Sequence, residues 1–196
     1  MDSTQIFSRS IAGAPVAADD ETLLARVATG DRDALGLLYA EFQRPIFRYL
    51  FQLTSDAGLA EEILQDTFVA VWRSAGTFQS RSMLRTWLFG IARRQAHNVM
   101  RRPGVKLQDV DDASEVADPG PEPEDRVLAQ ADVAMVRLGI ARLSVAHREV
   151  LALKFVSGLG YQEMALITGV PEGTVKSRLN AARRALRQIL SEDGPG

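Results

Sequence analysis

Residues 161–179 read YQEMALITGVPEGTVKSRL, a stretch that predicts two short helices joined by a turn at Gly169. Ala165 is small enough for the second helix to cross close to it, and Gly169 can adopt the positive φ that a tight turn requires. Val175 then fills the space between the two helices. This spacing predicts a helix-turn-helix, whose second helix can enter the major groove of DNA and read base edges. The alternative is an ordinary amphipathic helical hairpin.

The second helix of this stretch has two distinct faces. The predicted buried stripe, at helical spacing, consists of Val175, Leu179, Ala182, Leu186 and Ile189. The opposite face is polar and basic, and Gly173 leaves a bare backbone near the helix N-terminus that a phosphate can approach closely. The candidate DNA contacts of this helix are Gly173, Thr174, Lys176, Ser177, Arg178, Asn180, Arg183 and Arg184.

The rest of the chain also has helical patterns, and no stretch of useful length alternates with period two. The predicted boundaries in the first half are a cap at Asp19 or Asp20, an end at Gly30, a start at Asp31, a new start or kink at Pro45, a start at Ser55 or Asp56, an end at Gly76, and a last helix at about 83–102. These signals follow from capping and breaking preferences. The sequence predicts an all-α protein.

Charge divides the chain into separate zones. Residues 104–125 carry one basic and eight acidic side chains and are rich in proline, a composition that favours a flexible linker. No acid occurs between Asp66 and Asp109, an interval with eight basic residues. We therefore expect two small helical domains, at 19–103 and 126–192, with a disordered tail at 1–18. Two basic zones on a flexible tether would leave two open surfaces for a polyanion.

Composition excludes several functional classes. The chain has 196 residues, no cysteine and two histidines, His97 and His147, which lack the close spacing of a metal-binding pair. Neither nucleotide-binding glycine motifs nor carboxylates clustered on an apolar surface are present. We expect no metal, no cofactor and no enzymatic activity. Without a secretory signal or an apolar run of about 20 residues, we expect a cytoplasmic protein with no direct membrane insertion.

Several motifs, in order, resemble the extracytoplasmic-function group of bacterial sigma-70 factors. In the second half the resemblance rests on LSVAHREVL at 143–151, YQEMA at 161–165 and GTVKSRL at 173–179. In the first half AEEILQDTFVAVW at 60–72 is similar to the polymerase-binding helix of that family, and RTWLFGIAR at 85–93 is similar to its promoter-melting helix. The resemblance covers roughly residues 20–190.

The resemblance implies a subunit that binds core RNA polymerase, through its β and β′ subunits, and directs it to promoter DNA. The implied polymerase contacts are Glu62, Gln65, Asp66 and Val69. The implied contacts to the minus-ten element are Phe78, Gln79, Ser80, Arg81, Arg93, Arg94, His97, Asn98 and Arg101. The helix-turn-helix would bind the minus-thirty-five element as a duplex. Trp87, in the middle of a helix, is expected to be a core residue, and Phe78 to anchor its loop.

The resemblance also implies an anti-sigma partner, whereas control by synthesis and proteolysis alone is the alternative. A second functional class is a stand-alone helix-turn-helix regulator that binds an operator without polymerase. Such regulators usually carry a dimerisation or effector domain to match a two-fold operator. The basic first half and the acidic linker favour two unlike binding sites instead.

Overall fold

The computed structural model describes residues 17–78, 83–102 and 133–192. Every regular element within these ranges is helical, which confirms the predicted fold class. The predicted linker at 104–125 and most of the predicted tail lie outside the described residues. The described residues form two helical units, on either side of that linker.

The first unit contains four α-helices and a short 3₁₀ turn. Helix α1 begins earlier than expected, so a cap at Asp19 or Asp20 is wrong. The unit's core is built around Tyr49 and Phe89, both fully buried, whose rings meet edge to face with centroids 5.5 Å apart. The elements are α1 (Ala17–Ala28), α2 (Arg32–Thr54), α3 (Ala57–Ser74), the 3₁₀ turn (Ala75–Thr77) and α4 (Leu84–Met100).

Short acidic side chains start two of these helices, as the sequence predicts. The Asp31 carboxylate accepts hydrogen bonds from the backbone N–H groups of Asp33 and Ala34 at 2.9 and 3.0 Å. Asp56 does the same for the N–H of Leu59 at 3.0 Å. Ser55 does not start α3; it closes α2 in the left-handed conformation, with φ 57°. These caps satisfy N–H groups that a helix cannot pair internally.

Pro45 does not begin a new helix, because α2 continues through it from Arg32 to Thr54. A proline inside a helix removes one backbone hydrogen bond and costs about 3 kcal/mol. The helix is nevertheless held on both sides of the proline by Phe42, Ile46 and Tyr49, which are buried in the core. Tertiary packing therefore outweighs the local breaking signal.

The second unit contains four further α-helices and one π-helical turn. Its core includes Leu153, Met164, Val175 and Leu179, all fully buried. The π turn ends with a hydrogen bond from the N–H of Ser157 to the carbonyl of Ala152, at 2.9 Å. The elements are α5 (Val133–Ala141), α6 (Val145–Leu151), the π turn (Ala152–Val156), α7 (Tyr161–Thr168) and α8 (Glu172–Glu192).

Helices α7 and α8 form the predicted helix-turn-helix. Gly169 adopts φ +72° after α7, and its N–H donates to the carbonyl of Ala165 at 2.9 Å. Val175 is fully buried between the helices, as expected. In the last turn of α8 Leu190 is the buried residue, whereas Ile189, expected there, is only partly buried.

The two glycines of this motif should respond oppositely to the same substitution. Gly169→Ala places a side chain in the left-handed region and should lower the free energy of unfolding by about 1–2 kcal/mol. Gly173 lies in α8, and a Cβ added there would have no atom within 4 Å beyond its own helix and neighbours. Gly173→Ala should therefore raise the free energy of unfolding by about 0.4–1 kcal/mol. Urea unfolding of the full chain measures both. Equal signs would contradict the turn geometry.

Candidate polymerase and nucleic-acid interfaces

The outer face of α3 is open along most of its length. Glu62 and Gln65 are exposed, Asp66 is half-buried, and Val69 is 48% exposed. Glu62 accepts a hydrogen bond from Arg102 at 3.0 Å, between two exposed side chains. The four residues expected to contact polymerase thus lie on one side of one helix. An apolar side chain among polar ones suits a protein-binding surface.

A shallow depression borders this face. It encloses about 520 Å³ and is mostly apolar, with Phe68, Val69 and Trp72 from α3 on one wall and Leu35 and Tyr39 from α2 on the other. The Tyr39 and Phe68 rings meet edge to face at 4.8 Å, which fixes the shape of the floor. The outer face of α3 therefore continues into a concave surface able to receive a partner helix.

Helix α4 carries the basic surface expected to contact the minus-ten element. Arg94, Asn98 and Arg101 are exposed, and the Arg101 guanidinium donates to the Asn98 side-chain oxygen at 2.7 Å. Arg93 and His97 lie on the same helix but are turned toward the second unit. Of the neighbouring loop, Gln79, Ser80 and Arg81 lie outside the described residues.

Phe78 and Trp87 stabilise the approach to this surface. Both side chains are partly buried, and their rings meet edge to face with centroids 5.4 Å apart. This contact ties the end of the 3₁₀ turn to the start of α4. The structure thus places Phe78 as an anchor of the loop, in agreement with the sequence, and Trp87 at the edge of the core.

The carboxylate of Glu149, from α6, lies where the two units meet. Its side chain is only 3% exposed. Arg93 donates to it through Nε at 2.9 Å and through Nη2 at 3.3 Å. His97 Nε2 lies 2.9 Å from the same carboxylate, and the Tyr49 hydroxyl donates to it at 3.4 Å. Three helices, α2, α4 and α6, thus converge on one buried acid.

This environment changes the pKa of two groups. Burial raises the pKa of Glu149, but the hydrogen bond from His97 and the charge of Arg93 outweigh burial, so its pKa lies below the usual value. Burial, followed by the nearby charge of Glu149, raises the pKa of Tyr49 well above its usual value. At neutral pH Glu149 is therefore ionised and Tyr49 is a neutral hydrogen-bond donor.

Two further hydrogen bonds join the units. The Thr86 hydroxyl of α4 donates to the Glu163 carboxylate of α7 at 3.0 Å. The other oxygen of Glu163 accepts from the N–H of Gly160 at 2.8 Å, which caps α7 where glycine offers no side chain. Arg148 donates to the Ser55 hydroxyl at 3.2 Å. The expectation of open binding surfaces is therefore wrong for part of α4, where Arg93 and His97 are bound to the second unit, while the outer face of α3 is open as expected.

Sequence reasoning missed Glu149, although a signal was present. Val145, Glu149 and Leu153 are spaced four residues apart and so share one helix face. An acid on an otherwise apolar face is rarely buried without a partner. The partners themselves carry no local signal, because Arg93 and His97 lie more than fifty positions away in the sequence.

The outer face of α8 presents most of the residues expected to read DNA. Gly173 and Lys176 are exposed, and the Lys176 ammonium pairs with Glu172 at 2.8 Å. Arg183 departs from the expected outward position: its guanidinium lies over the Phe155 ring at 5.1 Å. It lines a groove of about 400 Å³ that is formed mostly by the second unit, with Gln52 of α2 at its edge. The remaining members of the set are half-buried along the helix: Thr174, Ser177, Arg178, Asn180 and Arg184.

Two negative findings apply to the residues that the structure describes. No three histidine, aspartate or glutamate side chains there are grouped as a metal site would require. None of the described helices is both long and apolar enough to cross a membrane.

A helix-turn-helix and a separate basic helix are both typical of DNA-binding proteins. Comparison with known families identifies which family of such proteins this chain belongs to. The family model for Sigma-70 region 2 matches residues 38–104, and that for Sigma-70, region 4 matches residues 134–186. Together they cover more than half of the chain. The chain belongs to the sigma-70 family of RNA polymerase sigma factors, in its extracytoplasmic-function group.

Curated relatives agree over most of the chain. It is 32% identical to the RNA polymerase sigma factor NccH of Alcaligenes xylosoxydans xylosoxydans, over 87% of this chain and 94% of that one. It is 31% identical to the sigma-H factor of Pseudomonas aeruginosa, over 87% and 93%. It is 32% identical to the ECF sigma factor SigL of Mycobacterium tuberculosis, over 87% and 98%. These relatives support a sigma factor rather than a stand-alone regulator.

Solved structures support the fold. The chain is similar to CnrH, solved in complex with the cytosolic domain of CnrY, with a TM-score of 0.66 and 24% identity over 89% of this chain and 99% of that one. It is also similar to the sigma factor RpoE of Bartonella quintana, solved with the anti-sigma factor NepR. There the TM-score is 0.59, with 29% identity over 80% and 98% of the two chains.

The titration of Glu149 tests the geometry of the cluster. A carboxyl whose folded pKa is lowered contributes stability that is present above its unfolded pKa and lost as the pH falls through the folded pKa. We expect the Glu149 side-chain carbon signal in ¹³C NMR, assigned by its loss in Glu149→Gln, to titrate with a pKa below the usual glutamate value. A midpoint at or above that value would show that Arg93 and His97 do not hold the carboxylate.

Proposed function

We propose that this chain, acting as an ECF-type sigma factor, uses α3 to bind core polymerase, α4 to bind the minus-ten element and α8 to bind the minus-thirty-five element. The proposal is supported chiefly by one observation: the three sets of residues lie on three different helices, α3 and α4 of the first unit and α8 of the second. The α3 face is acidic with one apolar residue, which suits a protein partner, whereas the α4 and α8 faces are basic, which suits DNA. The protein would act in the cytoplasm, as an initiation factor and not as a catalyst.

The polymerase surface is the outer face of α3, defined by Glu62, Gln65, Asp66 and Val69. Its carboxylates suit a basic partner, and Val69 supplies apolar area at its C-terminal end, beside the depression. The family resemblance implies the coiled coil of the polymerase β′ subunit as that partner. The adjoining depression beside Phe68 and Trp72 offers further apolar contact area.

The minus-ten surface is the basic face of α4. Opening a duplex requires positive charge for the backbone and a place for unstacked bases. Arg94, Asn98 and Arg101 are exposed for the first role. Arg93 and His97 would join them once the second unit moves away. The loop that follows Phe78 would receive the flipped base, as the family resemblance implies.

The minus-thirty-five surface is the N-terminal half of α8. A recognition helix reads base edges with its first turns and contacts phosphates along its length. We expect Arg178 to read a base, because it lies in the first turns of α8, whereas Arg184 and Arg187 lie further from the helix start. Arg183, packed on Phe155, would need to leave the groove before it could contact DNA.

An anti-sigma factor is the proposed regulatory partner. The related RpoE of Bartonella quintana was solved with one bound. In this chain the groove beside Arg183, formed mostly by the second unit and lined partly by Leu151 and Phe155, is apolar and large enough to hold side chains of a partner helix.

Run-off transcription with core polymerase tests the proposed function directly. The full chain should convert core polymerase into an enzyme that initiates at defined promoters. A gel shift with and without core polymerase tests the alternative. Tight and specific duplex binding by the chain alone, with no effect of polymerase, would favour an operator-binding regulator.

Reversing one charge tests the polymerase surface. Asp66→Arg should weaken binding to core polymerase by about tenfold or more, because it places like charge against a basic partner. Asp66 is half-buried on a helix surface, so the fold should remain intact, as circular dichroism can verify. Glu192→Arg, at the exposed end of α8, is the matched control. Unchanged affinity of Asp66→Arg in a competition assay would exclude this surface.

Two arginines of α8 should behave differently. Arg178→Ala should lose discrimination at particular promoter bases, since a bidentate arginine–guanine contact is worth about 1–3 kcal/mol. Arg187→Ala should weaken binding evenly across sequences, as the loss of a phosphate contact does. Reporter assays on a promoter library measure both. A uniform loss in both variants would make Arg178 a phosphate contact.

A further inference from the structure

Glu149 binds the side chains that the proposed function assigns to DNA. Arg93 uses both its Nε and an Nη nitrogen on this one carboxylate, and His97 is 2.9 Å from the same group. A guanidinium group can donate two parallel hydrogen bonds to a carboxylate or, in the same geometry, to a phosphate. While Glu149 is bound, these nitrogens are unavailable to a nucleic-acid backbone.

The position of Glu149 makes this contact a lock between the units. Its side chain is 3% exposed, and a buried carboxylate requires charged partners to offset its desolvation. Those partners come from the other unit. Separation of the units would therefore break every charged contact of Glu149 at once, and it would return the carboxylate to water.

Other contacts hold α4 in the same closed arrangement. Thr86 donates to Glu163, and Glu163 also caps the first helix of the helix-turn-helix. Arg148 bonds to Ser55 near the start of α3. These polar contacts lie beside apolar packing, since buried residues of both units belong to one cluster.

We propose that Glu149 acts as an internal competitor of nucleic acid: it holds the two units closed by binding Arg93 and His97 in place of a DNA phosphate. In this closed form part of the α4 surface is covered, and DNA binding requires the units to open first. The apparent affinity for DNA is then reduced by the fraction of open molecules. The proposal rests on the proposed role of α4 in DNA binding.

A distance measurement tests the closure itself. The chain has no cysteine, so Ala57→Cys on α3 and Ser191→Cys on α8, both at exposed positions, can carry spin labels without other changes. Electron–electron double resonance should show one distance population in the otherwise unchanged chain. Glu149→Gln should add a second, longer population and raise the open fraction about tenfold.

Two further variants distinguish the loss of a contact between the units from the loss of a negative charge as such. Glu21→Gln removes the same charge at an exposed position of α1, a helix that packs on α2, α3 and the 3₁₀ turn of its own unit, so the distances should not change. Thr86→Val removes a different contact between the units and leaves Glu149 intact. It should shift the distances in the same direction as Glu149→Gln, by a smaller amount, even where Glu149→Gln folds poorly.

DNA binding tests the competition. A short fluorescein-labelled single strand of mixed sequence, followed by anisotropy, should bind up to about tenfold more tightly to Glu149→Gln than to the unchanged chain. Adding Arg93→Ala to Glu149→Gln should abolish the gain. Glu21→Gln, the exposed control on α1, should show only the small change due to its lost charge.

The proposal has two parts, that Glu149 holds the units together and that it competes with DNA for Arg93, and the outcomes test them separately. Unchanged distances in both Glu149→Gln and Thr86→Val would overturn the lock and leave the proposed function intact. Longer distances without tighter DNA binding would overturn the competition, and would also remove Arg93 from the proposed minus-ten surface. Longer distances together with tighter binding that depends on Arg93 would support both.

Discussion

The contact between Glu149 and the Arg93–His97 pair determines how the two halves of the molecule are arranged. A carboxylate with 3% of its side chain exposed is stable only where positive groups and donors surround it. Helix α6 supplies the acid, whereas α2 and α4 supply its partners. The second unit is therefore positioned against the first by an electrostatic requirement as well as by apolar packing. The helix-turn-helix is further held against α4 by the hydrogen bond from Thr86 to Glu163.

Sequence patterns predicted several helix ends and turns whose cause is local. Asp31 and Asp56 begin helices because each can cap nearby N–H groups, and Gly169 turns the chain because it tolerates a positive φ. Pro45 was misleading, since its breaking tendency is local but the packing that overrides it is not. Arg183 was placed by helical periodicity alone, which cannot show that Phe155 from another segment lies beside it.

The contact between the units could not be predicted in this way. Glu149 is separated from His97 by 52 residues and from Tyr49 by 100, so no local pattern links them. Of the expected minus-ten contacts, the structure leaves Arg94, Asn98 and Arg101 exposed and covers much of Arg93. The sequence predicted which residues make up that surface, but only the fold shows that Arg93 and His97 contact the carboxylate of Glu149.

The closed arrangement has a consequence for the order of events. The outer face of α3 remains open while part of α4 is covered, so on the proposed assignment polymerase would dock before the units separate. Docking that favours the open form would then release Arg93 and His97 for DNA. One basic helix would thus serve two states, with a carboxylate as its ligand in one and a phosphate in the other.

The exchange of Glu149 for DNA as the ligand of Arg93 is tested by a cryo-electron microscopy structure of this chain with core polymerase on an open promoter. The promoter is selected from those at which the chain initiates run-off transcription. In that complex the 2.9 Å contact between Arg93 Nε and Glu149 should be broken, Arg93 should lie within hydrogen-bond distance of the DNA backbone, and α3 should contact polymerase. An open promoter complex in which Arg93 and His97 still bind Glu149 would contradict the exchange.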